Sequence, residues 1–147
     1  PMKTRILLIV SILLLQSNFV FASFEYFDDE LYQDIPEIRS IESISLDVAS
    51  PKSGKLAWKY QKSKRLLEAI KQELISRYKN GQISEIVLAD GVQELSWFAY
   101  YQSRYFSYSL LFENTRSADF LDLANESLRL SRASLDRFGE YVRNPVK

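Results

Sequence analysis

Three groups of residues in this chain are of types and spacings that could do chemistry. Ser76 and Lys79 stand in the S-x-x-K spacing of a serine–lysine nucleophile pair, but neither an S-D-N nor a K-T-G companion occurs. Asp119, Asp122 and Glu126 fall on one face in helical register and offer oxygens of the kind that bind Ca²⁺. Acids at that place also suit the positive end of a helix dipole, and that simpler reading is adopted. The third group is aromatic. Residues 97–112, WFAYYQSRYFSYSLLF, put eight aromatic rings into sixteen positions.

What is missing narrows the chemistry further. The chain has no histidine and no cysteine, and its one methionine is Met2. Thiol nucleophiles, Ser-His-Asp triads and Cys/His zinc sites are therefore excluded. Axial haem ligation would fall to tyrosine. No G-x-S-x-G, phosphate loop or dinucleotide fingerprint occurs. Two carboxylates converging in space would still permit an acid-catalysed hydrolase. The reading taken here is a non-enzymatic one, with no catalytic residue, no metal site and no cofactor.

On a helical wheel at about 100° per residue, Trp97, Tyr108, Tyr101, Phe112, Tyr105 and Phe98 share one stripe about 100° wide. Tyr100 and Phe106 lie off it. Ser96, Ala99, Ser103 and Ser107 form a flank of small residues that suits close approach of a neighbouring helix. Leu95, Leu110 and Leu111 add apolar groups on further sides, the mark of a central helix. Four of the stripe residues are Trp or Tyr, whose polar tips need partners in a dry core and which are enriched at interfaces. Phe98 and Phe112 are therefore expected to be structural. Trp97, Tyr101, Tyr105 and Tyr108 are expected to reach the surface as a partner- or ligand-binding edge.

The elements that must position this stripe are helices. Residues 55–79 lack Pro and Gly and repeat Leu56, Tyr60, Leu67, Ile70, Leu74 and Tyr78 at helical spacing, with Asn80-Gly81 as the stop. A second helix is expected over 83–112, with Gly91 as a weak point and a break at Asn114 or Thr115. A third is expected over 116–143, with Phe120, Leu121, Ala124, Leu128, Leu135, Phe138 and Val142 on its apolar stripe and Asn144-Pro145 as its stop. Short connections predict an all-α, elongated antiparallel bundle of these three helices. Residues 23–54 precede that domain (55–147) as an acidic arm and loop. FDDELYQ suits one or two helical turns, Pro36 suits the first position of a short helix, ISLDV alternates as an extended segment, and ASPKSGK reads as a loop.

Charge is distributed unevenly. Residues 25–47 hold eight acids against Arg39, whereas residues 52–79 hold nine bases against Glu68 and Glu73. Opposed charge of this kind favours the arm folding back onto the first long helix.

The start of the chain carries Lys3 and Arg5, an apolar run from Ile6 to Leu15, and Val20-Phe21-Ala22. That order is the pattern of a secretory signal peptide, with cleavage expected after Ala22. The run is shorter than the roughly 20 residues of a membrane span. The chain from Ser23 onward has 17 basic and 19 acidic residues, a balance that does not favour a nucleic-acid partner, and no second apolar stretch long enough to span a membrane. The expectation is an exported helical interaction module of the bacterial periplasm or envelope: a subunit, adaptor or inhibitor. Its partner would be another envelope protein or a second copy of itself. A small carrier holding an apolar or glycan ligand against the Trp/Tyr stripe is the alternative.

Overall fold

A computed structural model describes residues 36–52 and 54–145. The expected signal region and residues 23–35, FDDELYQ included, lie outside the described residues. Within them the regular structure is all helical, with no strand. Helix α1 spans Pro36–Ser43, α2 Gly54–Lys79, α3 Glu85–Thr115 and α4 Ala118–Phe138, and a π-helical turn follows over Gly139–Arg143. The three long helices pack closely, with α3 against both α4 and α2.

Pro36 opens α1, where a missing N–H costs nothing. Residues 44–48 continue without helix or strand into the loop before α2. Helix α2 ends where Gly81 takes a φ of 72°. There Gly81 N donates to Tyr78 O and Gln82 N to Arg77 O, which satisfies two carbonyls of the last turn.

Helix α3 begins at Glu85 rather than Ile83, because the Ser84 hydroxyl accepts from Val87 N and caps the first turn. It runs past Asn114 and Thr115. The break falls on Arg116, which adopts a left-handed φ of 58° and donates its N–H to Phe112 O. Thr115 stays helical, its hydroxyl bonded to Leu111 O.

Gly91 is not a weak point. It is buried mid-helix, and a Cβ there would lie 2.7 Å from Leu74 Cδ1 and 3.1 Å from Val142 Cγ2. The missing side chain lets α2 and the C-terminal turn close on α3. Contacts between helices run in opposite order along each pair. Tyr60 meets Phe106 edge-to-face, Ser63 bonds Gln102, and Leu74 lies against Gly91. Along α3 and α4, Glu94 pairs with Arg137, Gln102 with Ser131 and Tyr108 with Phe120.

The apolar stripe expected on α4 is displaced. Its buried residues are Ala124, Ser127, Ser131, Ser134 and Phe138, while Leu121 is exposed and Phe120, Leu128 and Leu135 are half-buried. The seam with α3 is narrow and takes small residues, so the leucines pack along its flanks. The Ser127 and Ser131 hydroxyls return to carbonyls of their own helix, at Leu123 and Leu128, and so carry no unpaired donor into the seam. The final turn also departs from the expected α-helix. Asn144 N bonds Gly139 O, and the wider turn leaves Val142 fully buried while Arg143 grips Glu73 of α2.

The described part of the acidic arm does pack on the long helices, by means other than opposed charge alone. Ile38, Ile41 and Ile44 are buried. Lys71, only 4% exposed, donates to Ile44 O at 2.7 Å, Glu42 O at 3.2 Å and Glu68 Oε2 at 3.1 Å. Three donors thus meet three acceptors, which is what a buried ammonium requires. Asp47 N donates to the buried Ser103 hydroxyl. On the small-residue flank of α3, Ser103 thus receives the segment that follows α1.

Candidate functional site

Helix α3 presents its rings in two different settings. Phe98 and Phe106 are buried, and Tyr60 with Leu56 joins Phe106 in a core cluster that Tyr105, Leu46, Val48 and Leu110 cover. Tyr105 sits half-buried at the α2 edge, where the Lys59 ammonium donates to its hydroxyl at 3.3 Å. Phe112, expected to be structural, is half-buried with the Arg116 guanidinium over its ring.

The outer face carries a continuous ladder. Trp97 is 43% exposed and stacks on Tyr101 with 5.6 Å between ring centroids and 19° between planes. Tyr100, 47% exposed, meets both rings edge-on, at 5.9 Å and 5.2 Å. One turn further along, the Arg104 guanidinium lies over Tyr100 at 5.5 Å and over Tyr108 at 5.0 Å, and donates to the Tyr108 hydroxyl. Tyr108 then stacks on Phe120 of α4. Rings held against each other and against a cation keep their rotamers without being buried.

Of the four residues expected to form the binding edge, Trp97, Tyr101 and Tyr108 belong to this ladder, with Trp97 exposed and the two tyrosines half-buried. Tyr105 is turned away toward α2. Tyr100 lies off the wheel's stripe, yet it is the most exposed ring of the group, and Arg104 joins it. A usable signal was present: Tyr100, Arg104 and Tyr108 stand four residues apart, so cation and rings share a face.

Beside the ladder lies an open groove of about 750 Å³. Ser40, Ser43, Ile44, Ser45 and Asp47 form one wall, and Val92, Ser96, Ala99, Ser103 and Ser107 of α3 form the floor and the other. Tyr100 and Arg104 line it too, so the ladder is the groove's rim. None of Trp97, Tyr101, Tyr105 and Tyr108 lines this groove.

Of the other two candidate groups, the acidic one does not assemble into a metal site. Among the described residues no cluster of three or more acidic side chains could hold a metal, and Glu126 is instead paired with Arg129. Glu126 is held below the usual carboxylate range by that hydrogen bond. Ser76 lies exposed at the end of α2, its hydroxyl 3.5 Å from Asn80 Nδ2. Among the described residues no helix is long and apolar enough to cross a membrane.

No family model, curated protein or solved structure matches this chain.

Proposed function

We propose that this protein is an exported helical interaction module whose docking surface is the Trp97–Tyr100–Tyr101–Arg104–Tyr108 ladder of α3. The observation that carries the reading is the exposure of Trp97 and Tyr100 while both rings are held by contacts with neighbouring rings. Trp, Tyr and Arg dominate interface energetics, and side chains already ordered lose little freedom on binding. The partner is another envelope protein or a second copy of this chain, lying along the ladder with a segment entering the adjacent groove. The three long helices act as a rigid antiparallel bundle beneath it, a reading supported by the reversed order of their contact pairs. The work is binding rather than catalysis, which accords with a chain that lacks histidine and cysteine.

Export is part of the same proposal. The basic start, the apolar run and Val20-Phe21-Ala22 form a signal peptide cleaved after Ala22. Protein sequencing of the exported form begins at Ser23. A mature protein that retains Met2 would mean an uncleaved anchor instead.

A photoreactive phenylalanine analogue at Tyr100, with Asn125 on α4 as the control position, tests the surface in living cells. A discrete adduct from position 100, absent from 125 and suppressed by Arg104→Glu, is the expected result. An adduct of twice the chain's mass identifies self-association. Equal labelling from both positions would remove the proposal. A carrier role is the second reading, and the groove favours it only if a small ligand is retained there through purification.

A further inference from the structure

We propose that the outward face of the first half of α2 binds anionic phospholipid surfaces. Residues 48–67 contain no acid, and within them Lys52, Lys55, Lys59, Lys62, Lys64 and Arg65 supply six positive charges. The described structure sorts these residues by face. Leu56, Tyr60 and Leu67 are buried inward. Lys55, Trp58, Lys62 and Arg65, spaced three, four and three residues apart, form one exposed outward stripe.

Trp58 is the decisive residue. It is 59% exposed, more than any other aromatic among the exposed large hydrophobics, and the Lys62 ammonium lies 5.0 Å from its ring centre. Leu66 is exposed on the edge of the same face. A solvated helix face needs neither a tryptophan nor a leucine, and an acidic protein partner would be met by the cations alone. Tryptophan prefers the headgroup level of a bilayer, where its ring is apolar and its N–H still finds an acceptor. Lysine and arginine stems lie along apolar surface while their charged ends reach phosphate. Clusters of four to eight such cations on a helix recognise anionic lipid, because the surface potential concentrates them there. The face is peripheral: one Trp and one Leu can dip into the interface without leaving the folded bundle. It is independent of the ladder on α3.

Co-sedimentation of the full chain with vesicles tests this. Phosphatidylcholine vesicles containing 30% phosphatidylglycerol should pellet the protein, pure phosphatidylcholine vesicles should not, and salt should reverse the binding. Lys55→Glu with Lys62→Glu should reduce binding at least tenfold. The tryptophan emission should shift to the blue with anionic vesicles, and Trp58→Phe should abolish that shift, since Trp97 is the only other tryptophan. The apolar run near the start of the chain is the same in every variant, so binding that survives charge reversal would come from that run and would overturn the proposal. Binding to heparin with no vesicle binding would also overturn it, as would a blue shift that persists in Trp58→Phe.

Discussion

The amide of Gln102 donates to the Ser131 hydroxyl at 2.9 Å between the long helices, and its carbonyl accepts from the Ser63 hydroxyl at 2.9 Å. One buried side chain of α3 thus ties α2 to α4. Ser131 passes its own proton to Leu128 O, so every polar atom in the chain of contacts is used. Such a relay fixes the register of three helices, because sliding any one of them strands a donor. Ser131→Ala leaves the Gln102 amide without its acceptor and should cost about 1–3 kcal/mol in urea unfolding. Gln102→Leu removes both bonds together. The double variant should be less destabilised than the sum of the two, and strict additivity would show that the pair is not coupled.

Nearer the start of α3, packing depends on the lack of a side chain. Gly91→Ala improves helix propensity by about 1 kcal/mol, but its methyl group would meet the fully buried Leu74. Overpacking costs about 1–3 kcal/mol, so a net loss of stability is expected. In a Leu74→Ala background the two closest contacts are gone and only Val142 Cγ2, at 3.1 Å, remains, so the same Gly91→Ala change should cost clearly less. A loss of equal size in both backgrounds would mean that the contact with Leu74 is not the cause.

Much of this fold is legible in the residues alone. Pro36, Asn80-Gly81 and Asn144-Pro145 announce element ends through backbone chemistry that tertiary contacts do not override. The flanks are harder to read. A wheel ranks positions by hydrophobicity, so it centred α4 on its leucines, whereas the seam is set by how near α3 approaches and takes Ser127, Ser131 and Ser134. Gly91 reads as a helix breaker until Leu74 and Val142 are seen to occupy its place. The candidate site was half visible for the same reason. That Trp97 and Tyr101 share a face follows from spacing. Which neighbouring ring is covered depends on where α1 and α2 lie, so spacing alone does not show that Tyr105 turns toward α2 while Tyr100 stays exposed.

Glu73 gives the fold a dependence on pH. It accepts from Arg143 Nε at 2.9 Å and from Arg143 NH2 at 2.8 Å, and from Arg77 at 3.1 Å, joining the C-terminal turn to α2. The Arg143 hydrogen bonds, opposed by partial burial, hold its carboxyl below the usual glutamate range. A carboxyl depressed in the folded state adds stability that is present above its unfolded pKa, about 4.3, and is lost as pH falls from there through the folded value. Glu73→Gln should therefore lower stability at pH 7 by about 0.5–1 kcal/mol, since the pair is partly exposed. Below the folded pKa of Glu73 the variant and the native chain should converge. Glu126→Gln, at the fully solvated pair with Arg129, should change the melting curve far less than Glu73→Gln does at pH 7. A Glu73→Gln deficit that is constant with pH would assign the loss to packing instead.

Adjacent residues on α3 separate structure from recognition. Phe98 is buried and Trp97 is not. Phe98→Ala should cost about 3–5 kcal/mol, as for a large ring removed from a core. Trp97→Ala loses a stacking contact with Tyr101 and should cost only about 0.5–1 kcal/mol. Tyr101→Phe should fall within about 0.5 kcal/mol of the native chain, because no hydrogen bond from its hydroxyl to another described residue needs replacing. If the ladder is the docking surface, Trp97→Ala and Arg104→Glu abolish the Tyr100 crosslink while circular dichroism and melting remain near native. A Trp97→Ala chain that fails to fold would place the ring in the core and end the surface reading. A folded Trp97→Ala chain that crosslinks as well as the native protein would show that recognition lies elsewhere.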